Sequence, residues 1–315
     1  MSAIINRRTA LTGAAALAAT PALATAPMLG VDRPTHYRFK IGDFEVTTIL
    51  DGAVQLPGPH PIFGENTSAK NVQELAVANL LPPDQLEIPF TITLVNTGNE
   101  LILFDTGNGE ITQRRPNAGN LLARLGEAGY SADQIDHVVL SHFHPDHIGG
   151  LMEKRKPAFP NAAYVMPSAE FDFWSPADKA DSRVGRLVQS NVVPVAEQSR
   201  MIKGGDTIVS GIEAVDTSGH TPGHMAYHIE SNGARLMLTG DICNHYVVSL
   251  QRPDWHVKFD MDKEGAVAAR KKTFGMIASD QIPFVGYHMP APAVGYVEEM
   301  GKGFRYIPAS YQLNF

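Results

Sequence analysis

Three imidazoles and a carboxylate fall within six consecutive positions of this 315-residue chain, in His142-Phe143-His144-Pro145-Asp146-His147. The run follows the β-branched stretch Ile135 to Leu140, so it sits where a strand gives way to a loop. A solvated polar loop is the alternative, but so dense a set of imidazole and carboxylate suits zinc and its first-row neighbours. Alternation along an extended start puts His142 and His144 on one side. A turn through Pro145 then swings Asp146 and His147 toward a neighbouring position. One short loop can therefore feed two metals, and any fold for the chain must bring further ligands to it.

Candidate partners lie further along, each beside Gly or Pro at the end of an apolar run. Ser218-Gly219-His220-Thr221-Pro222-Gly223-His224 reads as a tight loop between two strands. Leu238-Thr239-Gly240-Asp241 ends one strand on a carboxylate, and Tyr287-His288 ends another on an imidazole. Loops at one edge of a sheet structure can converge these groups.

Elsewhere strands and helices intermix. Phe39–Ile41 and Phe44–Ile49 flank Gly42-Asp43 as a hairpin, and Thr91–Val95 and Leu101–Phe104 flank a turn with Gly98-Asn99. Leu121, Leu122, Leu125 and Ala128 recur at helical spacing before Gly129. Ala162–Met166 reads as a strand and Ser168–Trp174 as a short helix, with strands at Ile212–Val215, Met225–Ile229 and Arg235–Leu238. Residues 262–278 read as a helix capped by Asp262, with Val267, Phe274 and Ala278 on one face, and Phe284–Tyr287 as a last strand. The pattern predicts an α/β (α+β) chain: an αββα sandwich of two mixed β-sheets with helices outside. No linker or repeat follows residue 34, so residues 31–315 read as one catalytic domain.

Residues 1–30 differ. Arg7-Arg8 precedes a charge-free Ala/Leu/Thr/Gly stretch containing Ala22-Leu23-Ala24, the layout of a cleaved signal peptide with a twin-arginine-like start. This predicts a periplasmic or secreted protein. The stretch is too weakly apolar for a membrane span. The net charge of −7 argues against a nucleic-acid partner, and the single cysteine, Cys243, excludes an intrachain disulfide.

His-x-His-x-Asp-His, then Gly-His-Thr-Pro-Gly-His, Thr-Gly-Asp and a late strand-end His resemble the metallo-β-lactamase superfamily signature, in order, from residue 37 to the C-terminus. Several other stretches are similar to the methyl parathion hydrolase and dihydrocoumarin hydrolase-like subgroup. They are Gly42-Asp43-Phe44-Glu45, Leu94-Val95-Asn96-Thr97-Gly98, Asp172-Phe173-Trp174, Arg270-Lys271-Lys272 and the tail Gly301 to Pro308. The resemblance implies that His142, His144 and His220 hold one metal and Asp146, His147 and His288 the other, with Asp241 bridging. It implies two divalent ions, zinc foremost, with Asp105 and His224 standing behind the ligands to orient them. It also implies a homodimer, and places Trp174 and Phe173 at the substrate wall, with Leu56 a weaker match.

Two cations sharing Asp241 leave a bridging position for water and lower its pKa, and the hydroxide attacks a lactone, aryl ester or phosphotriester. Asp146 or Asp241 takes the proton, and the sequence does not choose. Asn244 and His245 follow the bridging aspartate where the organophosphate hydrolase is more uniformly apolar. They predict a more polar pocket that favours lactones and aryl esters over phosphotriesters. Cys243 reads as a buried small hydrophobe, and His36, His60, His137, His228 and His256 lack ligand context. Two rivals stand beside this reading: a β-lactamase, and a non-hydrolytic iron-binding or redox member of the same fold.

Overall fold

Along Phe90–Val95 every residue is buried, and alternate side chains go to opposite faces. Phe90, Ile92 and Leu94 join one apolar cluster, and Val95 joins another. A strand buried on both faces needs a layer on each side, and this requirement sets the architecture.

The computed structural model describes residues 26–28, 30, 32–110, 117–309 and 311–315. The signal-peptide reading falls almost wholly on residues outside this set. From Pro34 onward the chain forms one compact unit.

The first sheet has seven strands, in the order β1 (His36–Ile41), β2 (Phe44–Pro57), β3 (Gln85–Asn96), β4 (Leu101–Phe104), β5 (His137–Val139), β8 (Ala163–Pro167) and β9 (Ser199–Ile202). A two-strand ribbon, β6 (Met152–Glu153) with β7 (Lys156–Pro157), lies apart. The second sheet runs β10 (Thr207–Val209), β11 (Ile212–Asp216), β12 (Met225–Ser231), β13 (Ala234–Leu238), β14 (Phe284–Val285), β15 (Val294–Met300) and β16 (Gly303–Pro308). Both sheets are mixed: β4, β5, β8 and β9 are parallel neighbours, as are β13 and β14, and the remaining pairs are antiparallel. The inner core joins residues of both sheets, such as Phe39, Val46, Ile102, Tyr227, Leu236 and Phe284. The outer face of the first sheet packs Ile49, Ile92, Leu103 and Val138 against Leu121, Leu125 and Val188 from helical segments. This is the αββα sandwich expected.

Three local expectations shift. Phe284–Val285 is not the last strand, because the tail folds back as the hairpin β15–β16, with Met300 opposite Gly303. The helix Lys263–Asp280, capped by Asp262 accepting from the Gly265 N–H, buries Ala266, Arg270, Thr273, Phe274 and Ile277. Val267 and Ala278 are only half-buried, so the face turns to take in an arginine. Strand β5 starts at His137 rather than Ile135.

Candidate metal centre

Each ligand candidate leaves a strand end at the same edge. After β5, His144 takes an extended conformation and Pro145 opens the single helical turn Pro145–Ile148, whose fixed φ suits that first position. The turn brings Asp146 and His147 round to His288, with the His147 ring still packed on His142, centres 4.0 Å apart. Two groups result: His142, His144, His220 and Asp241, and Asp146, His147 and His288, with the ligand atoms of each within 4.8 Å of one another. Asp241 lies against both. Its Oδ1 is 3.3 Å from His147 Nε2, and its Oδ2 is 3.3 Å from His220 Nε2 and 3.1 Å from His288 Nε2. His288 Nε2 is also 3.6 Å from Asp146 Oδ2.

The ring nitrogens that face away from the centre are engaged. His147 Nδ1 donates to Asp105 Oδ2 (2.8 Å), His220 Nδ1 to Asp260 Oδ1 (2.8 Å) and His288 Nδ1 to the Pro89 carbonyl (2.8 Å). Once the ring is neutral, each bond leaves Nε2 as the lone-pair atom turned inward, the arrangement a metal-binding imidazole needs. Asp105 has φ +64, and its other oxygen accepts from the Ser141 N–H at 2.8 Å. A non-glycine residue held left-handed behind a ligand fits a positioning task. His224 accepts from the Asp241 N–H through Nε2 at 3.0 Å and lies 2.8 Å from the Thr217 hydroxyl through Nδ1. It thereby fixes the backbone of Asp241. A Cβ on Gly240 (φ +50) would stand 2.8 Å from that same Nε2, so the strand must end on glycine here.

A pair of divalent ions fits this donor set. His142 Nε2, His147 Nε2 and Asp241 Oδ1 are buried and unmatched by a hydrogen-bond partner. His220 Nε2 and His144 Nδ1 stand 2.9 Å apart. Donor atoms around a four-coordinate zinc stand about 3.3 Å apart, so these spacings need little adjustment.

Burial pushes His142 well below the ordinary histidine range and His144 down to about 3, with neighbouring imidazoles adding to the effect. Burial acts the same way on His147 and His220, but there it is outweighed. Asp241 and Asp105 hold His147 well above its usual range, and Asp241 and Asp260 raise His220 to about 9. Burial opposes the charge on Asp241, yet the imidazoles of His288 and His147 hold its carboxyl well below the usual range.

Above the centre lies a cavity of about 260 Å³, lined by Val54, Leu56, Ile88, Phe90, Val184 and Phe259 on its walls and His144, Asp146, Asp241, Asn244 and His288 on its floor, with Pro145 and Arg183 completing it. Leu56 and Asn244 are in the lining, and Asn244 Nδ2 donates to Asp241 Oδ2 at 3.0 Å. Phe173, Trp174 and His245 are not in the lining. The helix Ser168–Trp174 turns Trp174 into the core, and Phe173 lies half-buried under Lys179 Nζ, 4.3 Å from its ring centre. His245 is buried edge-on against Phe63 and accepts the Val247 and Val248 N–H groups. Ile242 and Cys243 are core residues, and burial lifts the Cys243 thiol to about 12. The cavity thus has an apolar wall over a polar floor.

Four residues that the sequence reading gave no role hold the centre together. Glu170, fully buried, accepts the Phe143 N–H (3.1 Å) and the Gly223 N–H (2.8 Å), tying the His142–His147 loop to the His220 loop. Tyr287 stacks on His147 at 3.9 Å and donates to the Asp146 carbonyl. Asp260 and Arg270 stand behind His220. Among them only Arg270 has a readable sign, a charge at i, i+4 spacing from Ala266 and Phe274. Glu170→Ala leaves two buried N–H groups without an acceptor and is expected to lower stability by about 3 kcal/mol in urea unfolding. Glu170→Gln, which keeps one acceptor oxygen, should cost less than half as much. Equal stability of the two variants would count against this role.

The Metallo-beta-lactamase superfamily pattern matches residues 91–272, more than half of the chain, and the chain belongs to that superfamily. Among solved structures it is similar to AidC, a dizinc quorum-quenching lactonase in complex with a product (28% identity, TM-score 0.80, 88% of this chain and 98% of that one). It is also similar to the hydrolase AbOPH (25% identity, TM-score 0.81, 90% and 100%). An N-acyl homoserine lactonase of Bacillus sp is 25% identical over 182 residues, 52% of this chain and 68% of that protein. A hydroxyacylglutathione hydrolase of Cereibacter sphaeroides is 29% identical over 153 residues, 48% of this chain and half of that protein.

Proposed function

We propose that this chain hydrolyses lactones with a pair of divalent ions, zinc being the expected metal, and that N-acylated homoserine lactones are its best substrate class. The observation that carries the reading is the placement of two ligand groups sharing Asp241 at the floor of an apolar-walled cavity. Similarity to a dizinc lactonase over most of both chains supports it. When bound, the ions supply Lewis acidity toward the acyl oxygen and lower the pKa of coordinated water.

The protein supplies the remainder. Val54, Leu56, Ile88, Phe90 and Phe259 offer an acyl chain an apolar wall and exclude water from the floor. Asp241 is engaged by His147, His220, His288 and Asn244, whereas Asp146 is the more exposed carboxylate of the two, 14% against 4%. Asp146, its Oδ2 3.6 Å from His288 Nε2, is on that exposure our choice for the group that takes the proton of the attacking water. It returns that proton to the ring oxygen as the acyl C–O bond breaks.

The test is turnover by purified, metal-analysed protein of N-acyl homoserine lactones of several chain lengths, dihydrocoumarin, an aryl acetate, methyl paraoxon and a chromogenic cephalosporin. Lactone turnover that is lost on chelation and restored by zinc is expected, with aryl ester and phosphotriester turnover slower. Cephalosporin turnover alone would replace the reading with a β-lactamase. Iron loading with no turnover would replace it with a non-hydrolytic role. Phe259, 40% exposed at the wall, gives a finer check. Phe259→Ala is expected to raise KM for a decanoyl substrate about fivefold, from roughly 1 kcal/mol of lost burial, and to leave a butanoyl substrate nearly unchanged.

A further inference from the structure

Arg270 is a fully buried arginine, and a guanidinium out of water is costly unless its donors are matched. Here they are matched to two different ligand loops. Nε donates to the carbonyl of Ile242 (2.8 Å), the residue after Asp241, and Nη1 donates to the Pro253 carbonyl (2.9 Å). Nη2 meets Asp260 Oδ2 (3.0 Å), and the other oxygen of Asp260 takes the His220 Nδ1 proton (2.8 Å). The start of the helix that carries Arg270 also sits on the His220 loop. The Met261 N–H donates to His220 O and the Asp262 N–H to Gly219 O, each at 2.9 Å. A Cβ on Gly219 (φ +138) would stand 2.3 Å from Ala266 N.

We propose that Arg270 is a positioning residue that, through Asp260, fixes the His220 imidazole and, through the Ile242 carbonyl, the segment carrying Asp241. One planar group thus sets the distance between two ligands of the same metal. The inference rests on the metal-centre reading above. Behind His147, Asp105 accepts from the Ser141 N–H and hydroxyl, and that hydroxyl also lies 3.0 Å from His142 Nδ1. The geometry therefore assigns Asp260 to the ion held by His142, His144 and His220, and Arg270 to that ion and to the shared aspartate. Lysine cannot replace it, since a single ammonium cannot span Asp260 and two carbonyls in one plane.

The test is metal affinity, read on full-length protein by competition with a chromophoric chelator for zinc and by the visible spectrum of the cobalt-substituted form. In Asp260→Asn, one of the two ions is expected to bind 10- to 100-fold more weakly, with the other unchanged. Arg270→Lys should weaken the same ion by a similar factor and the other, which shares Asp241, by less. The double variant should lose less than the product of the two single losses, because both changes break one chain of contacts. The metal-free melting temperature of Asp260→Asn guards against general unfolding, and Arg270→Gln serves if Arg270→Lys does not fold. Equal weakening of both ions in Asp260→Asn, or wild-type affinity in a folded Arg270 variant, would overturn the proposal. A wild-type protein that takes up no metal would instead overturn the metal centre itself, and this clamp with it.

Discussion

Asp241→Asn is expected to cut lactone turnover by on the order of 10³-fold or more and to leave fewer than two metals per chain. The seven candidate ligands include two carboxylates, Asp146 and Asp241, against five imidazoles. Two divalent ions bring four positive charges, so replacing one carboxylate by an amide halves the anionic charge set against them. Asp241 is also the group in contact with both ligand sets, through His147 and His288 on one side and His220 on the other. Asparagine keeps the volume and one acceptor oxygen, and the His224–backbone bond at position 241 does not depend on the side chain. The polypeptide around it therefore has reason to stay in place. The measurements are kcat/KM on a lactone, metal content per chain, and circular dichroism as a check on folding. A folded variant with two metals and near-normal turnover would remove Asp241 from the centre of the mechanism.

The candidate ligands are legible because their spacing is local. His142 and His144 alternate, and Pro145 starts a helical turn, so the split of four residues between two metal positions follows from backbone geometry alone. His220, Asp241 and His288 were legible as strand ends, where glycine and proline mark the loops. The walls of the cavity were less so. They come from β2, β3, the helix Arg183–Leu187 and the loop at Phe259, four segments far apart in the chain whose juxtaposition no periodicity reports. The helix Ser168–Trp174 was placed correctly and its facing was not. Glu170 and Trp174 are i, i+4 neighbours turned inward, so Phe173 and Trp174 could not both face the substrate. The same holds for Lys263–Asp280, where the buried face centres on Arg270. A charge paired by tertiary contacts can occupy a position that composition would assign to solvent.

Above about pH 6.5 metal affinity should rise steeply with pH while the stability of the metal-free protein falls, and the two trends have one source. Each ion displaces a proton from an imidazole that the carboxylates keep charged: His220 at one position and His147 at the other. Below about pH 9 each displacement makes binding about tenfold tighter per pH unit. Without metal the linkage runs the other way. His220 rises in the folded chain to about 9 from the ordinary 6.5, so its stabilising effect is complete below 6.5 and is lost as pH climbs through 9. His147, also raised, adds to the loss in the same direction. Asp241 and Asp260 are lowered, so their contribution is present above the ordinary 3.8 and disappears only as pH falls through their folded values. Burial also holds His142, His144, His224 and His245 neutral in the fold, so the unfolded chain gains protons there as pH falls below 6.5. The metal-free protein should therefore be most stable near pH 6.5, and lose on the order of a few kcal/mol by pH 9. Melting of chelated and zinc-loaded protein at pH 5.5, 7 and 9 checks this, since the gap between the two curves should widen at each step. A gap that stays constant, or a metal-free protein that grows more stable toward pH 9, would mean that His147 and His220 are already neutral. Their carboxylate partners would then have to be protonated or turned away.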